Sequence, residues 1–216
     1  MSTSSTLVTA DHFAYLAQRT HGDDAFLAEL KRAASAAEIP AISIAPEQAS
    51  FMQILLRGSG ARRVVEVGTL AGYSAIQMAR ALPSGGRVDT IELSPKHAEF
   101  AREWIARSDV RDRVIVHEGG GANVLRTFAA DAFDAAFLDA DKSGYPVYLE
   151  EALRVVRRGG WILVDNAFAF GQLLDPAPRD REVGAVRAFN EIMAREKRLH
   201  AIIVPIGDGL WVGVKL

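Results

Sequence analysis

The sequence predicts a doubly wound α/β fold with a mostly parallel sheet, and three observations carry that prediction. From residue 62 onward, short runs rich in β-branched residues alternate with helical periodicity, the signature of βα units. The first run, Val64-Val65-Glu66-Val67, breaks at Gly68 and enters a helix near Gly72 through a small-residue loop. Ligands of open α/β sheets sit at such strand ends. The last two runs, 199–204 and 210–215, are joined by a turn around Gly207-Asp208-Gly209 that is too short for a crossover, so they form an antiparallel hairpin.

In chain order, residues 10–36 carry helical periodicity through Phe13, Leu16, Phe26, Leu27 and Leu30, interrupted at His21-Gly22-Asp23-Asp24. Pro40 and Pro46 bracket a short extended piece, 41–45. A third helix runs over about 47–57 with Phe51, Ile54 and Leu55 inward, and Gly58 and Gly60 end it. Strands follow at 62–67, 87–92, 113–117, 133–138 and 161–165, with helices over about 72–82, from Ser94-Pro95, after Gly119-Gly120-Gly121, over 144–157 and over 183–197. Ser94 is the cap and Pro95 the first helical residue of the second of these. Gly159-Gly160 closes the fourth. A long loop, 167–182, holds Pro176 and Pro178. Five βα units and the hairpin make a seven-stranded sheet with one antiparallel strand.

At 216 residues the expectation is one domain, 1–216, in which a helical cap (1–57) leads into an α/β core (62–216). A net charge of −2 gives no reason to expect nucleic acid or an anionic membrane. The absence of cysteine excludes disulfides, thiolate metal sites and a Cys nucleophile. No apolar run is long enough to span a bilayer and the start lacks a signal-like apolar stretch, so a cytoplasmic protein is expected. The Ser/Thr-rich first six residues read as disordered.

The loop after the first strand is not a dinucleotide fingerprint, because Leu70 and Tyr73 stand where glycines are required. Glu66 at the strand end would repel a pyrophosphate and suit a cationic ligand such as S-adenosylmethionine (SAM). Glu92, ending the second strand, is placed to accept hydrogen bonds from two ribose hydroxyls. The run Gly119-Gly120-Gly121 either offers bare backbone to an adenine ring or is only a flexible turn. Asp139 and the pair Asp165-Asn166 follow neighbouring strands and converge. Two carboxylates and an amide are hard ligands that suit Mg²⁺, Mn²⁺ or Ca²⁺. Lys142, three residues past Asp139, is a candidate base for a hydroxyl beside that cation, whereas Asp141 is turned elsewhere. Tyr73-Ser74 is not a nucleophile elbow.

With these residues in view, the chain resembles the cation-dependent O-methyltransferases, the family of catechol and caffeoyl-CoA O-methyltransferases, over about residues 40–216. The carrying motifs are Glu66-Val67-Gly68 through Gly72-Tyr73-Ser74, Asp139-Ala140-Asp141-Lys142 with Tyr145 and Tyr148, Asp165-Asn166, and Pro205 to Leu210. The resemblance implies a Rossmann-like methyltransferase fold. It implies SAM on Glu66, Gly68, Tyr73, Ser74 and Glu92, with Gly121 at the adenine and Ile42 and Ile44 in the wall. Asp139 would also lie near the SAM amino group, with Tyr148 alongside. It further implies Asp139, Asp165 and Asn166 as metal ligands, Lys142 as base, a small phenolic acceptor and a homodimer. The sequence departs from the family at Gly121, where Ala is usual, at Ala49, where Gly is usual, and at Ala169, where plant members carry Trp. Loop 167–182 should set acceptor choice, with Phe168, Phe170 and Trp211 as candidates to hold its ring. The two rival readings are an NAD-dependent oxidoreductase, disfavoured by the failed fingerprint and Glu66, and a non-catalytic SAM-binding or dimeric interaction protein, disfavoured by the intact metal triad with Lys142.

Overall fold

The computed structural model describes residues 7–216, so the expectation of disorder at 1–6 lies outside the described residues. Three N-terminal helices, α1 (Ala10–Ala17), α2 (Ala25–Ala36) and α3 (Pro46–Gly58), precede β1 (Arg63–Val67). The chain continues as α4 (Tyr73–Ala81), β2 (Arg87–Glu92), α5 (Pro95–Arg107), β3 (Val114–Glu118), α6 (Gly121–Thr127), β4 (Phe133–Leu138), α7 (Tyr145–Val155), β5 (Val156–Val164), α8 (Val183–Arg195), β6 (Leu199–Val204) and β7 (Leu210–Lys215). A short 3₁₀ turn, Lys142–Gly144, leads into α7. Among the described residues, no helix is long and apolar enough to cross a membrane.

The sheet order is β3-β2-β1-β4-β5-β7-β6. Strands β1 to β5 are parallel, and β7 runs antiparallel to both of its neighbours, β5 and β6. The chain reverses its winding between β1 and β4, which opens a crevice at their carboxyl ends. Register fixes who meets there: Val67 lies beside Ile91 and Leu138, and Leu138 beside Val164. The residues that follow, Gly68, Glu92, Asp139 and Asp165, are therefore presented along one edge.

Alternation along the strands builds two cores. Val64, Ala135, Phe137 and Leu163 face α2 to α5, while Val65, Ala136, Leu138 and Val164 face α7 and α8. The cap joins the first core through Leu27, Leu30 and Ala34 on α2, all buried. Truncating Leu27 or Leu30 to alanine costs about 2–5 kcal/mol at such sites. Asp24 caps α2 by accepting from Leu27 N–H at 2.9 Å, and Ser94 caps α5 by accepting from His97 N–H at 3.4 Å.

Two expectations are corrected. On α3 the fully buried face is Gln48, Ala49, Met52 and Leu56; Phe51 and Leu55 pack partly buried against the same core as expected, but Ile54 is 66% exposed. The stripe 48, 52, 56 is a period-four ridge, flanked by Phe51 and Leu55 and turned away from Ile54. Gly159 and Gly160 do not end a helix: α7 stops at Val155 and β5 starts at once, five residues earlier than predicted. The two glycines form a bulge, where pairing with β4 jumps from Phe133↔Val156 to Ala135↔Trp161. A Cβ at Gly160 would come within 2.6 Å of the Asp134 carbonyl oxygen. No residue of α1 is buried, and Leu16 is 43% exposed.

Candidate active site

The strand ends open into one cavity of about 480 Å³. Its first half is built by the loop after β1. Gly68 has φ +104°, and any Cβ there would overlap the Asp139 carbonyl, so the loops after β1 and β4 touch only because this residue is glycine. Gly72 enters α4 at φ +87°. Glu92 gathers two loops, accepting from Leu70 N–H at 2.8 Å through Oε2 and from Ser94 N–H at 2.9 Å through Oε1. Each oxygen keeps acceptor capacity towards the cavity it lines.

Ile42, Ile44, Tyr73, Ser74, Gly121 and Tyr148 also line this half. Tyr73 donates from its hydroxyl to Asp23 at 2.7 Å, with Lys31 4.1 Å above its ring, which ties the start of α2 to the cofactor loop. Gly121 opens α6 in tight packing: a Cβ would come within 2.6 Å of Val67 Cγ1 and 2.9 Å of the Tyr148 ring. An alanine at this position would require Val67 or Tyr148 to shift. Tyr148 in turn donates to Asp141 at 2.5 Å, and Ser143 donates to the other Asp141 oxygen at 3.1 Å.

Glu66 does not line the cavity. It is fully buried beneath the floor, where Ser74 donates to Oε1 and Thr90 to Oε2, both at 2.5 Å. Burial pushes its carboxyl up to about 8, against the opposing pull of these two hydroxyls. The expectation of a carboxylate facing a cationic ligand is therefore corrected: Glu66 reaches the cavity only through Ser74.

The second half is built by the ends of β4 and β5. Asp139 N–H donates to Val67 O at 2.9 Å and Asp165 N–H to Leu138 O at 3.0 Å, so both continue the sheet before turning in. Lys142 is buried, with Nζ 2.7 Å from the Tyr145 hydroxyl and 3.2 Å from Asp139 Oδ1. Tyr145 donates to the Asp165 carbonyl at 3.3 Å. Asn166, at φ +63°, donates through Nδ2 to Asp208 at 3.0 Å, which leaves its carbonyl oxygen as the atom able to meet a ligand. Burial, then the nearby Asp139 charge, holds the Asp165 carboxyl well above the usual range. Burial and the same acids push the Tyr145 hydroxyl up. Among the described residues no group of three or more His, Cys, Asp or Glu is placed to hold a metal ion.

The model of the O-methyltransferase family matches residues 17–216. The chain belongs to that family. As an O-methyltransferase of this kind it uses SAM as methyl donor. It is 39% identical to the catechol O-methyltransferase of Mycobacterium tuberculosis, over 94% of this chain and 92% of that one. It is also 39% identical to the catechol O-methyltransferase of Niastella koreensis, over 89% and 86%. Among solved structures, the O-methyltransferase from Bacillus cereus in complex with SAH superposes with a TM-score of 0.85 at 37% identity, covering 94% of this chain and 96% of that one.

Of the aromatic candidates only Phe170 lines the methyltransferase cavity, with its ring centroid 5.9 Å from Lys142 Nζ. Phe168 packs under Gly209 and Trp211 donates from its indole to Asn190 at 2.7 Å, so both serve packing. Sequence reasoning missed Gln48, Leu93 and Glu182. Gln48 is 1% exposed and donates to Asp165 Oδ1 at 2.8 Å. A polar residue on the buried ridge of α3 was the available signal. Leu93 and Glu182 line the cavity from loop positions that carry no pattern.

Proposed function

We propose that the enzyme transfers a methyl group from SAM to one hydroxyl of a catechol-like aromatic, with a divalent cation held by Asp139, Asp165 and Asn166. The observation that carries the reading is the meeting of these three residues and Lys142 at the ends of β4 and β5, in the cavity that the cofactor loop also lines. Two relatives at 39% identity are named catechol O-methyltransferases, and a neighbour holds SAH. The donor set fits a hard cation: the partly exposed carboxylate of Asp139, the buried one of Asp165, whose ionisation the Asp139 charge opposes, and an amide oxygen, without thiolate or imidazole. Mg²⁺ is the first choice, with Mn²⁺ and Ca²⁺ behind it. Such an ion would lower the pKa of a phenol, ordinarily ~10, and fix the hydroxyl in place.

The remaining roles belong to the chain. Glu92 takes the ribose hydroxyls. Gly68, Tyr73, Ser74 and Gly121 shape the donor half, and Ile42, 70% exposed on its rim, has apolar surface for a flat ring to cover. Asp139 serves both halves, since its loop abuts Gly68. Lys142 accepts the phenolic proton at Nζ, held in place by Tyr145. The acceptor oxygen attacks the methyl carbon as the carbon–sulfur bond breaks, so alignment of the two substrates dominates the rate. The same reading takes 1–216 as one methyltransferase unit, working in the cytoplasm as a homodimer.

The test is a side-by-side assay of catechol, phenol and guaiacol. Catechol is methylated once, and the two compounds with a single free hydroxyl are poor acceptors. Comparable turnover of all three would remove the chelating role of the two oxygens.

A further inference from the structure

The charged groups at the acceptor end can be accounted for one by one. Lys142 is engaged by Asp139 and Tyr145. Asp141 is taken by Tyr148 and Ser143. Asp139 and Asp165 are the proposed cation ligands. One carboxylate remains, Glu182, which lines the same cavity and whose charge acts on Tyr145. It is half-buried, and among the described residues no hydrogen bond or ion pair engages its side-chain oxygens. Its neighbours Arg179 and Arg181 are exposed to solvent.

The position of Glu182 is set by a packed helix. It stands at the N-terminal edge of α8, where its backbone N–H donates to Asp180 at 2.8 Å. Val183 and Val186, buried on the first turn, pack with Ala169 and Leu173 of the loop that carries Phe170. The helix also lies against the 3₁₀ turn that contains Lys142. The charge of Glu182 is thereby set on the wall of the cavity that Phe170 also lines.

We propose that Glu182 selects the acceptor by charge, favouring a catechol whose ring carries an alkylammonium group over one that carries a carboxylate. This rests on the catechol reading above. In a partly desolvated wall, an unpartnered carboxylate attracts a ring substituent of opposite charge and repels one of like charge. The diol end is anchored elsewhere, so the substituent points outward.

The experiment measures kcat/KM for catechol, a 4-aminoethyl catechol and a 4-carboxy catechol with the wild type, Glu182→Gln and Glu182→Lys. Each charged acceptor is normalised to the same variant's rate with catechol. The amine-to-carboxylate ratio should fall about tenfold in Glu182→Gln, equivalent to about 1.4 kcal/mol, and reverse in Glu182→Lys, with the change in KM rather than kcat. In the wild type the ratio should shrink as salt is raised, a readout that needs no variant. A ratio unmoved by both substitutions and by salt, with catechol still methylated, overturns this inference alone. Failure of the wild type to methylate any of the three diols overturns the catechol reading and this inference with it.

Discussion

Gln48 on α3 donates from Nε2 to Asp165 Oδ1 at 2.8 Å, across 117 positions of sequence. Both side chains are buried, so the helical cap directly orients a proposed ligand of the cation. A hydrogen bond to a charged group contributes about 1.5–3 kcal/mol. Gln48→Leu is expected to raise the cation concentration for half-maximal activity by about ten- to a hundredfold. Titration of activity with Mg²⁺ checks it. An unchanged midpoint would make Gln48 a packing residue only.

Asp165→Ala removes a ligand while leaving the donor half intact. Methyl transfer should be lost, with SAM affinity by calorimetry largely retained. Chelator treatment and dialysis of the wild type should have the same effect, reversed by added Mg²⁺. Full activity after dialysis would exclude the cation from the reaction.

Glu92 holds Leu70 and Ser94 as well as facing the proposed ribose. Glu92→Ala therefore loosens two loops in addition to losing the ligand contacts. Glu92→Gln keeps one acceptor oxygen and is the cleaner probe. SAM affinity should fall by one to two orders of magnitude in Glu92→Gln and further in Glu92→Ala. Calorimetry returning the wild-type affinity for both would remove Glu92 from the cofactor site.

Much of this site could be read from the residues because strand ends announce themselves. Apolar runs that stop at Gly68, Glu92, Asp139 and Asp165 define the edge, and a parallel sheet brings such ends together whatever the helix boundaries are. What escaped depends on tertiary packing. Glu66 stands at a strand end like the others, but the pleat turns it under the floor to Ser74 and Thr90. Gln48 reaches the site from the cap, a contact that no local pattern encodes. Gly159 and Gly160 resemble a helix stop until the pairing of β4 with β5 shows a bulge.

The exposed apolar residues of α1 bear on assembly. Tyr15 is 57% exposed and Leu16 43%, on a helix with no buried residue. A second copy covering this face would account for them. Light scattering at micromolar concentration should give twice the 23.4 kDa chain mass. Tyr15→Glu combined with Leu16→Glu should shift the protein towards monomer, and a monomeric wild type would contradict the homodimer.

Glu66 should make stability fall as pH rises. In the fold its carboxyl is raised from 4.5 to about 8, with burial as the main cause. In the unfolded chain it ionises near the ordinary glutamate value, about 4.3. The folded state therefore holds a proton that the unfolded state releases, and folding is favoured most below the unfolded value. The contribution declines through the window from about 4.5 to about 8 and is gone above it. The hydroxyl chain accommodates either form. With Glu66 ionised, Thr69 can donate to Thr90, 2.6 Å away, while Thr90 and Ser74 donate to the carboxylate. With Glu66 protonated, its own O–H donates to one of those partners, and Ser74 is the one that also lines the cavity. Glu66→Gln has the neutral shape at every pH. The melting temperature of the ligand-free wild type should fall across this window relative to that of Glu66→Gln, and the two curves should run parallel above it. A constant difference from pH 5 to 8 would show that Glu66 is ionised throughout, and the burial argument for its raised pKa would then be wrong.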